Sequence, residues 1–188
     1  MIKDLHTLPA NLPTPIDDGA CDHLLGSFLP AVSLISTSGE SVNLSTHTTT
    51  LVVYFYPMLG RPDSPPLIGW NEIPGARGCT PQTCAFRDSY AELRQLGAKV
   101  FGVSAQALPD QQEAHARLHL PFSLLHDREL ALTRALKLPT FEYAGLRLIK
   151  RLTIIAMGGV IRKVFYPVFP PDKNATEVTA WLQKTPEE

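Results

Sequence analysis

Residues Leu51-Val52-Val53-Tyr54-Phe55-Tyr56 form a near-continuous apolar run stopped by Pro57, and this run limits the fold more than any other stretch. It has the length of a strand and no polar face, so it predicts a central strand covered on both sides. Such a strand needs a layer of structure above it and another below. The sequence around it has to supply both.

The flanking segments alternate between strand and helix patterns. Residues 31–36 and 41–44 alternate partially about Thr37-Ser38-Gly39-Glu40, which predicts a hairpin. Residues 58–74, with Pro62, Pro65, Pro66 and Pro74, read as a loop. Near its end, Trp70 either shapes a substrate mouth or anchors the loop. A helix is expected from Thr80 to about Leu96, with Phe86, Tyr90, Leu93 and Leu96 at helical spacing and Gly97 as its stop. Residues 99–104 are the next strand, residues 109–119 a helix, and residues 122–125 a short strand. Asp127 caps a helix to about Lys137. Residues 151–156 and 160–166 flank Met157-Gly158-Gly159 as a second hairpin. Asn174 and Glu177 have capping-box spacing for a last helix carrying Val178, Trp181 and Leu182. This order gives an α/β sheet with helices on both faces.

At 188 residues, 44% hydrophobic and 19% charged, the chain suits one well-buried domain. Residues 1–26, rich in proline and without sustained periodicity, are expected to be an extended arm, and residues 27–188 the domain. Seventeen Lys and Arg against eighteen Asp and Glu leave a formal charge of −1. No basic field recommends nucleic acid or an anionic membrane, and a small neutral substrate fits better. No apolar run reaches the roughly 20 residues of a membrane span, and Asp4 and Pro9 stand where a signal peptide would be apolar. A cytoplasmic protein is expected. Its three cysteines then argue for redox or metal chemistry over a disulfide framework.

Two of those cysteines lie in the stretch from Gly75 to Asp88. Gly75 and Gly78 let the chain turn before Cys79, and Thr80-Pro81 read as an N-cap and a first-turn proline. Cys79 therefore sits at a helix N-terminus, where the dipole and free N–H groups favour a thiolate. Cys84 follows five positions on in the same helix. In one continuous helix their Cα atoms are about 8.6 Å apart and some 140° around the axis. A disulfide requires roughly 4.4–6.8 Å, so bonding them demands unwinding from Cys79 to about Ala85. Cys21, beside His23, is a third redox thiol, a metal ligand, or a packed cysteine.

Arg151 opens a strand whose alternation puts Arg151, Thr153 and Ile155 on one face and Leu152 and Ile154 on the other. A guanidinium there could hold a thiolate and orient a substrate, or it is one charge in the run from Arg147. Arg87 is a support for the site or a surface helix charge.

Gly78-Cys79-Thr80, then Cys84, then Phe86-Arg87-Asp88, resembles the active-site segment of the peroxiredoxins, specifically the peroxiredoxin Q or bacterioferritin comigratory protein class. The likeness runs from about residue 27 to the end. Tyr54-Phe55-Tyr56-Pro57 looks like the strand leading to the site, Phe101-Gly102-Val103-Ser104 like the strand after the cysteine helix, and Arg151-Leu152-Thr153 like the segment bearing the family arginine. The resemblance implies a thioredoxin-like fold with an N-terminal β-hairpin and helices on both faces of a central mixed sheet. It implies that Cys79 is peroxidatic, Cys84 resolving and Arg151 the active-site arginine. The substrates implied are hydrogen peroxide and organic hydroperoxides. The implied recycling partner is thioredoxin or a similar dithiol reductant, with no metal and no organic cofactor. A monomer or weak dimer is expected, without nucleic-acid or membrane partners. The chain departs from the family pattern at Ala76, where a threonine is usual, and in its long loop after Pro57. Thr80 and Thr153 are the candidates for the missing hydroxyl.

Two other classes stand beside this one. A thioredoxin-like disulfide reductase usually carries Cys-x-x-Cys, unlike Cys79 and Cys84. A metal-binding module could recruit His115 and His119, one helical turn apart, which more often mark a solvated face.

Overall fold

The computed structural model describes residues 4–65 and 67–185. Residues 1–3 of the expected arm, Pro66 of the expected loop and residues 186–188 of the expected domain lie outside them. The apolar run is strand β3, Thr50–Phe55, and from Leu51 to Phe55 every residue is buried. It lies inside a seven-stranded mixed sheet. On one side it pairs in parallel with β4, Ala98–Ser104, which pairs in parallel with β5, Leu124–His126. On the other it pairs antiparallel with β8, Leu152–Met157, which continues into β9, Val160–Phe165. The hairpin of β1, Ser33–Ser36, and β2, Ser41–Asn43, extends the sheet from β5.

The alternation of β3 and β8 splits the interior into two cores. Val53, Phe55, Leu152 and Ile154 face one, with Leu24, Leu34, Leu132 and Leu136. Val52, Tyr54, Tyr56 and Ile155 face the other, which holds Cys79, Phe86, Leu93, Ala114 and Val178. The helices of the second core are α1 (Cys79–Asp88), α2 (Tyr90–Gln95), α3 (Leu108–Arg117) and α5 (Asn174–Lys184). Helix α4 (Ala131–Ala135) lies over the first. No helix among the described residues is long and apolar enough to cross a membrane.

Several local expectations need correction. The helix predicted over 80–96 is two helices, because Ser89 sits at φ −88° and ψ 0°, well off the helical ψ, although its N–H still bonds the Ala85 carbonyl. Asp88 and Ser89 are weak helix formers, which makes this the natural place to break. Helix α3 stops at Arg117: His119 takes φ 51°, while the N–H of Leu120 reaches back to the His115 carbonyl. That chain reversal takes His119 off the helix, so His115 and His119 are not a one-turn pair. Asp127 does cap α4, but from a distance, accepting from the backbone N–H of Leu132 and Thr133 at 3.2 and 2.9 Å.

One hairpin is absent from the sequence reading. Strands β6 (Thr140–Tyr143) and β7 (Leu146–Ile149) form a separate two-stranded sheet, turned at Ala144 and Gly145, both with positive φ. Their alternation about an Ala-Gly turn was the available signal. Tyr143 and Phe141 pack on Trp70, the former edge-on with centroids 4.9 Å apart, and so hold the end of the long loop.

Candidate active site

Gly78, not Thr80, precedes the first helical turn of α1. Its φ of 109° is open to glycine, and a Cβ there would lie 2.4 Å from Pro171 Cγ and 2.9 Å from Leu8 Cδ2. Cys79 is therefore the first residue of α1, and Pro81 falls in the turn whose N–H groups lack helical partners anyway.

Arg151 is buried, with only 3% of its surface exposed. Its guanidinium spreads over the chain that leads into α1. Nε donates to the Gly75 carbonyl at 3.2 Å, and Nη2 donates to the Ala76 carbonyl at 3.0 Å and the Arg77 carbonyl at 3.4 Å. Nη2 also lies 3.2 Å from Cys79 Sγ. The same sulfur points at the Ala76 carbonyl, 3.7 Å away. Arg151 thus fixes the loop before Cys79 and presents a cationic donor to its sulfur.

Gln82, which the sequence reading did not single out, holds Arg151 from the next turn of α1. Its Oε1 accepts a short hydrogen bond from Arg151 Nη1. Its Nε2 donates to Asn174 Oδ1 at 3.0 Å, and Thr153 Oγ1 donates to the same oxygen at 2.7 Å. Two expectations fall with this network. Asn174 does not cap α5: it is wholly buried, and the residue before the helix makes no side-chain cap. Thr153 does share the Arg151 face, but its hydroxyl is committed to Asn174 and not to the sulfur. A polar residue in the buried first turns of α1 was the only sequence signal for Gln82.

Cys79 lines a cavity of about 220 Å³. Leu5, Met58, Leu67 and Trp70 contribute apolar walls, and Asp4, Asn71, Arg77 and Thr80 polar ones. Trp70 therefore anchors the loop and also lines this cavity. Of the two threonines proposed for the hydroxyl role, Thr80 is the one that lines this cavity.

Cys84 lies half-buried on α1, and all three cysteines are free thiols. Burial pushes the Cys84 thiol up, partly opposed by the positive charge of Arg87. Arg87 does not reach Cys79. It pairs with Asp88 at 2.8 Å and donates to the Leu118 carbonyl at 3.1 Å, tying α1 to the end of α3. Cys21 is packed in the first core, and burial with the nearby charges of Asp18, Asp17 and Asp22 pushes its thiol up to about 12. His23 turns away to the Leu136 carbonyl at 2.8 Å. No group of three or more metal-ligating side chains occurs among the described residues.

Residues 24–180 match the Redoxin family model. The chain is 31% identical over 159 residues to the chloroplastic peroxiredoxin Q of Suaeda salsa, covering 84% of this chain and 67% of the relative. It is 30% identical over 189 residues to that of Gentiana triflora, covering 97% and 79%. In fold it is similar to peroxidoxin BcpB of Mycobacterium tuberculosis, with a TM-score of 0.71 at 21% identity, covering 87% of this chain and 98% of that one. The bacterioferritin comigratory protein of Xanthomonas campestris gives a TM-score of 0.65 at 23% identity, covering 92% and 98%. A thioredoxin-like sheet, a cysteine opening the first helix and a matching family model over most of the length lead to one conclusion: the chain belongs to the redoxin family, in the peroxiredoxin Q and bacterioferritin comigratory protein class of peroxidases.

Proposed function

We propose that the chain reduces hydrogen peroxide and organic hydroperoxides through Cys79. The observation that carries this reading is the Arg151 guanidinium 3.2 Å from the Sγ of Cys79, a residue that itself lines a cavity. The Cys79 thiolate attacks the terminal peroxide oxygen, the O–O bond breaks, and the remaining oxygen leaves as water or alcohol after taking up a proton. Arg151 donates toward the sulfur and the charge that develops on the departing oxygen. Cys79 is left as a sulfenic acid. Cys84 condenses with it to an intramolecular disulfide, releasing water, and an external dithiol of the thioredoxin type reduces the bond.

Leu5, Met58, Leu67 and Trp70 give the hydrocarbon portion of an organic hydroperoxide apolar surface to lie against. The Xanthomonas campestris relative in fold has alkyl peroxide reduction activity. A reducing cytoplasm, where free thiols persist, and a monomer or weak dimer complete the reading. Peroxide consumption with a dithiol reductant tests it, comparing wild type with Cys79→Ser. Turnover in wild type and its loss in Cys79→Ser are expected. No peroxide turnover, together with reduction of protein disulfides, would make the chain a disulfide reductase instead.

A further inference from the structure

The segment Asp4 to Leu8 is strapped over the entrance to α1. Arg77 Nη2 donates to the Asp4 carbonyl at 2.6 Å and the Thr7 carbonyl at 3.2 Å. Leu5 is buried and its Cδ2 fills the space where a Cβ on Gly60 would stand, 2.8 Å away, while Leu8 packs against Gly78. Asp4 Oδ1 accepts from the N–H groups of His6 and Thr7 at 2.9 and 3.1 Å, which shapes this turn. Held this way, the exposed ring of His6 brings Nδ1 within 3.9 Å of Cys84 Sγ.

We propose that His6 is the general base of the resolving step, taking the proton of the Cys84 thiol. The inference rests on the peroxidase reading above. With the ring proton on Nε2, Nδ1 is the acceptor that the S–H faces. An imidazole is well suited to that transfer near neutral pH. Cys84 needs such help, because burial holds its proton and only the thiolate attacks a sulfenic acid. The charged groups around Cys84 are Arg87 and Asp88 on α1 and Arg117 on α3, while Asp4 is taken up by the N–H groups of His6 and Thr7. Both arginines favour the thiolate, and neither can accept a proton. Asp88 is held by Arg87 at 2.8 Å, and a carboxylate is a far weaker base than an imidazole, which leaves His6 as the neighbour suited to take it.

The step balances within the chain. Cys84 S–H gives its proton to His6 Nδ1, and the thiolate forms an S–S bond to the Cys79 sulfenic sulfur as α1 opens. The S–O bond breaks, and hydroxide recovers the proton from imidazolium and leaves as water. The sulfenic sulfur is reduced and the Cys84 sulfur oxidised, with no outside oxidant.

The test follows sulfenic acid and disulfide in time after one equivalent of peroxide, by acid quench and mass spectrometry, in wild type, His6→Asn and His6→Ala. Asparagine keeps a polar side chain in the strap and removes the base. Disulfide formation is expected to slow by about a hundredfold or more in both variants, the usual scale of general-base effects. Sulfenic acid formation should stay within about twofold of wild type, and added imidazole should restore part of the disulfide rate in His6→Ala. Unchanged disulfide formation would overturn the assignment. So would equal slowing of both steps, or slowing that imidazole leaves untouched, since a merely structural strap would behave that way. If wild type itself forms no sulfenic acid, the peroxidase reading fails instead.

Discussion

Gln82 donates from Nε2 to Asn174 Oδ1 at 3.0 Å, and this bond decides which end of its amide faces Arg151. Turned the other way, the amide would present N–H groups to a guanidinium that has only donors. Asn174→Leu removes the acceptor and leaves Gln82 and Thr153 with unmet buried donors, at a cost of ~1–3 kcal/mol each. Peroxide reduction in Asn174→Leu should fall by about tenfold, equivalent to ~1.4 kcal/mol of barrier. Stopped-flow kinetics on the folded variant checks this. Rates equal to wild type would show that Arg151 holds its place without the relay.

Arg151→Lys keeps the charge but cannot reach Gly75, Ala76, Gln82 and Cys79 with one ammonium. We expect the peroxide rate constant to fall by about 10²-fold, the scale of losing one preorganised donor at a developing anion. The same assay with Arg151→Ala should show a loss at least as large.

Gly78 tests the entrance to α1 through stability. In Gly78→Ala the new methyl meets Pro171 and Leu8 at distances real contacts do not reach, on a backbone that disfavours side chains. The variant should lose ~1–3 kcal/mol or more, the usual scale of overpacking. Thermal denaturation measures it, and an unchanged midpoint would contradict the packing.

Cys21 should be chemically silent. Its buried thiol, pushed up to about 12, should escape alkylation at pH 8 in the native protein, and Cys21→Ser should leave turnover unchanged. The sign of its stability effect follows from proton counting. Above the ordinary thiol value of 9.0 the unfolded chain loses a proton that the folded chain keeps until about 12. The unfolded state then binds fewer protons and unfolding releases one, so stability falls as pH rises across that window. Denaturant titrations from pH 8 to 11 should show a shallower fall in Cys21→Ser than in wild type.

Formation of the disulfide should melt the start of α1. Cys79 and Cys84 occupy one helix in the thiol form, and their Cα separation of about 8.6 Å exceeds what a disulfide spans. Amide hydrogen exchange from Thr83 to Asp88 should accelerate on oxidation. Unchanged protection after a confirmed Cys79 to Cys84 bond would contradict the unwinding.

What was legible in the sequence is what local pattern controls. The β3 run, the hairpins about Gly39 and Gly158-Gly159, and the Arg151, Thr153 and Ile155 face all follow from periodicity and turn chemistry. The Ala144-Gly145 hairpin carries an equally local signal in its alternation and its turn. The partners of the site are different, because they come from distant segments. Asn174 has the spacing of a cap, yet the buried donors of Gln82 and Thr153 claim its oxygen. His6 and Leu8 lie in an aperiodic stretch of sequence, and only the folded chain brings them to Cys84 and Gly78.

The central claim is that Cys79 is the atom that meets peroxide. Treating Cys84→Ser with one equivalent of hydroperoxide in the presence of dimedone, followed by peptide mass spectrometry, tests it most directly. The account predicts one dimedone adduct, on Cys79. Adduct on Cys21, or peroxide consumed with Cys79 unmodified, would contradict it.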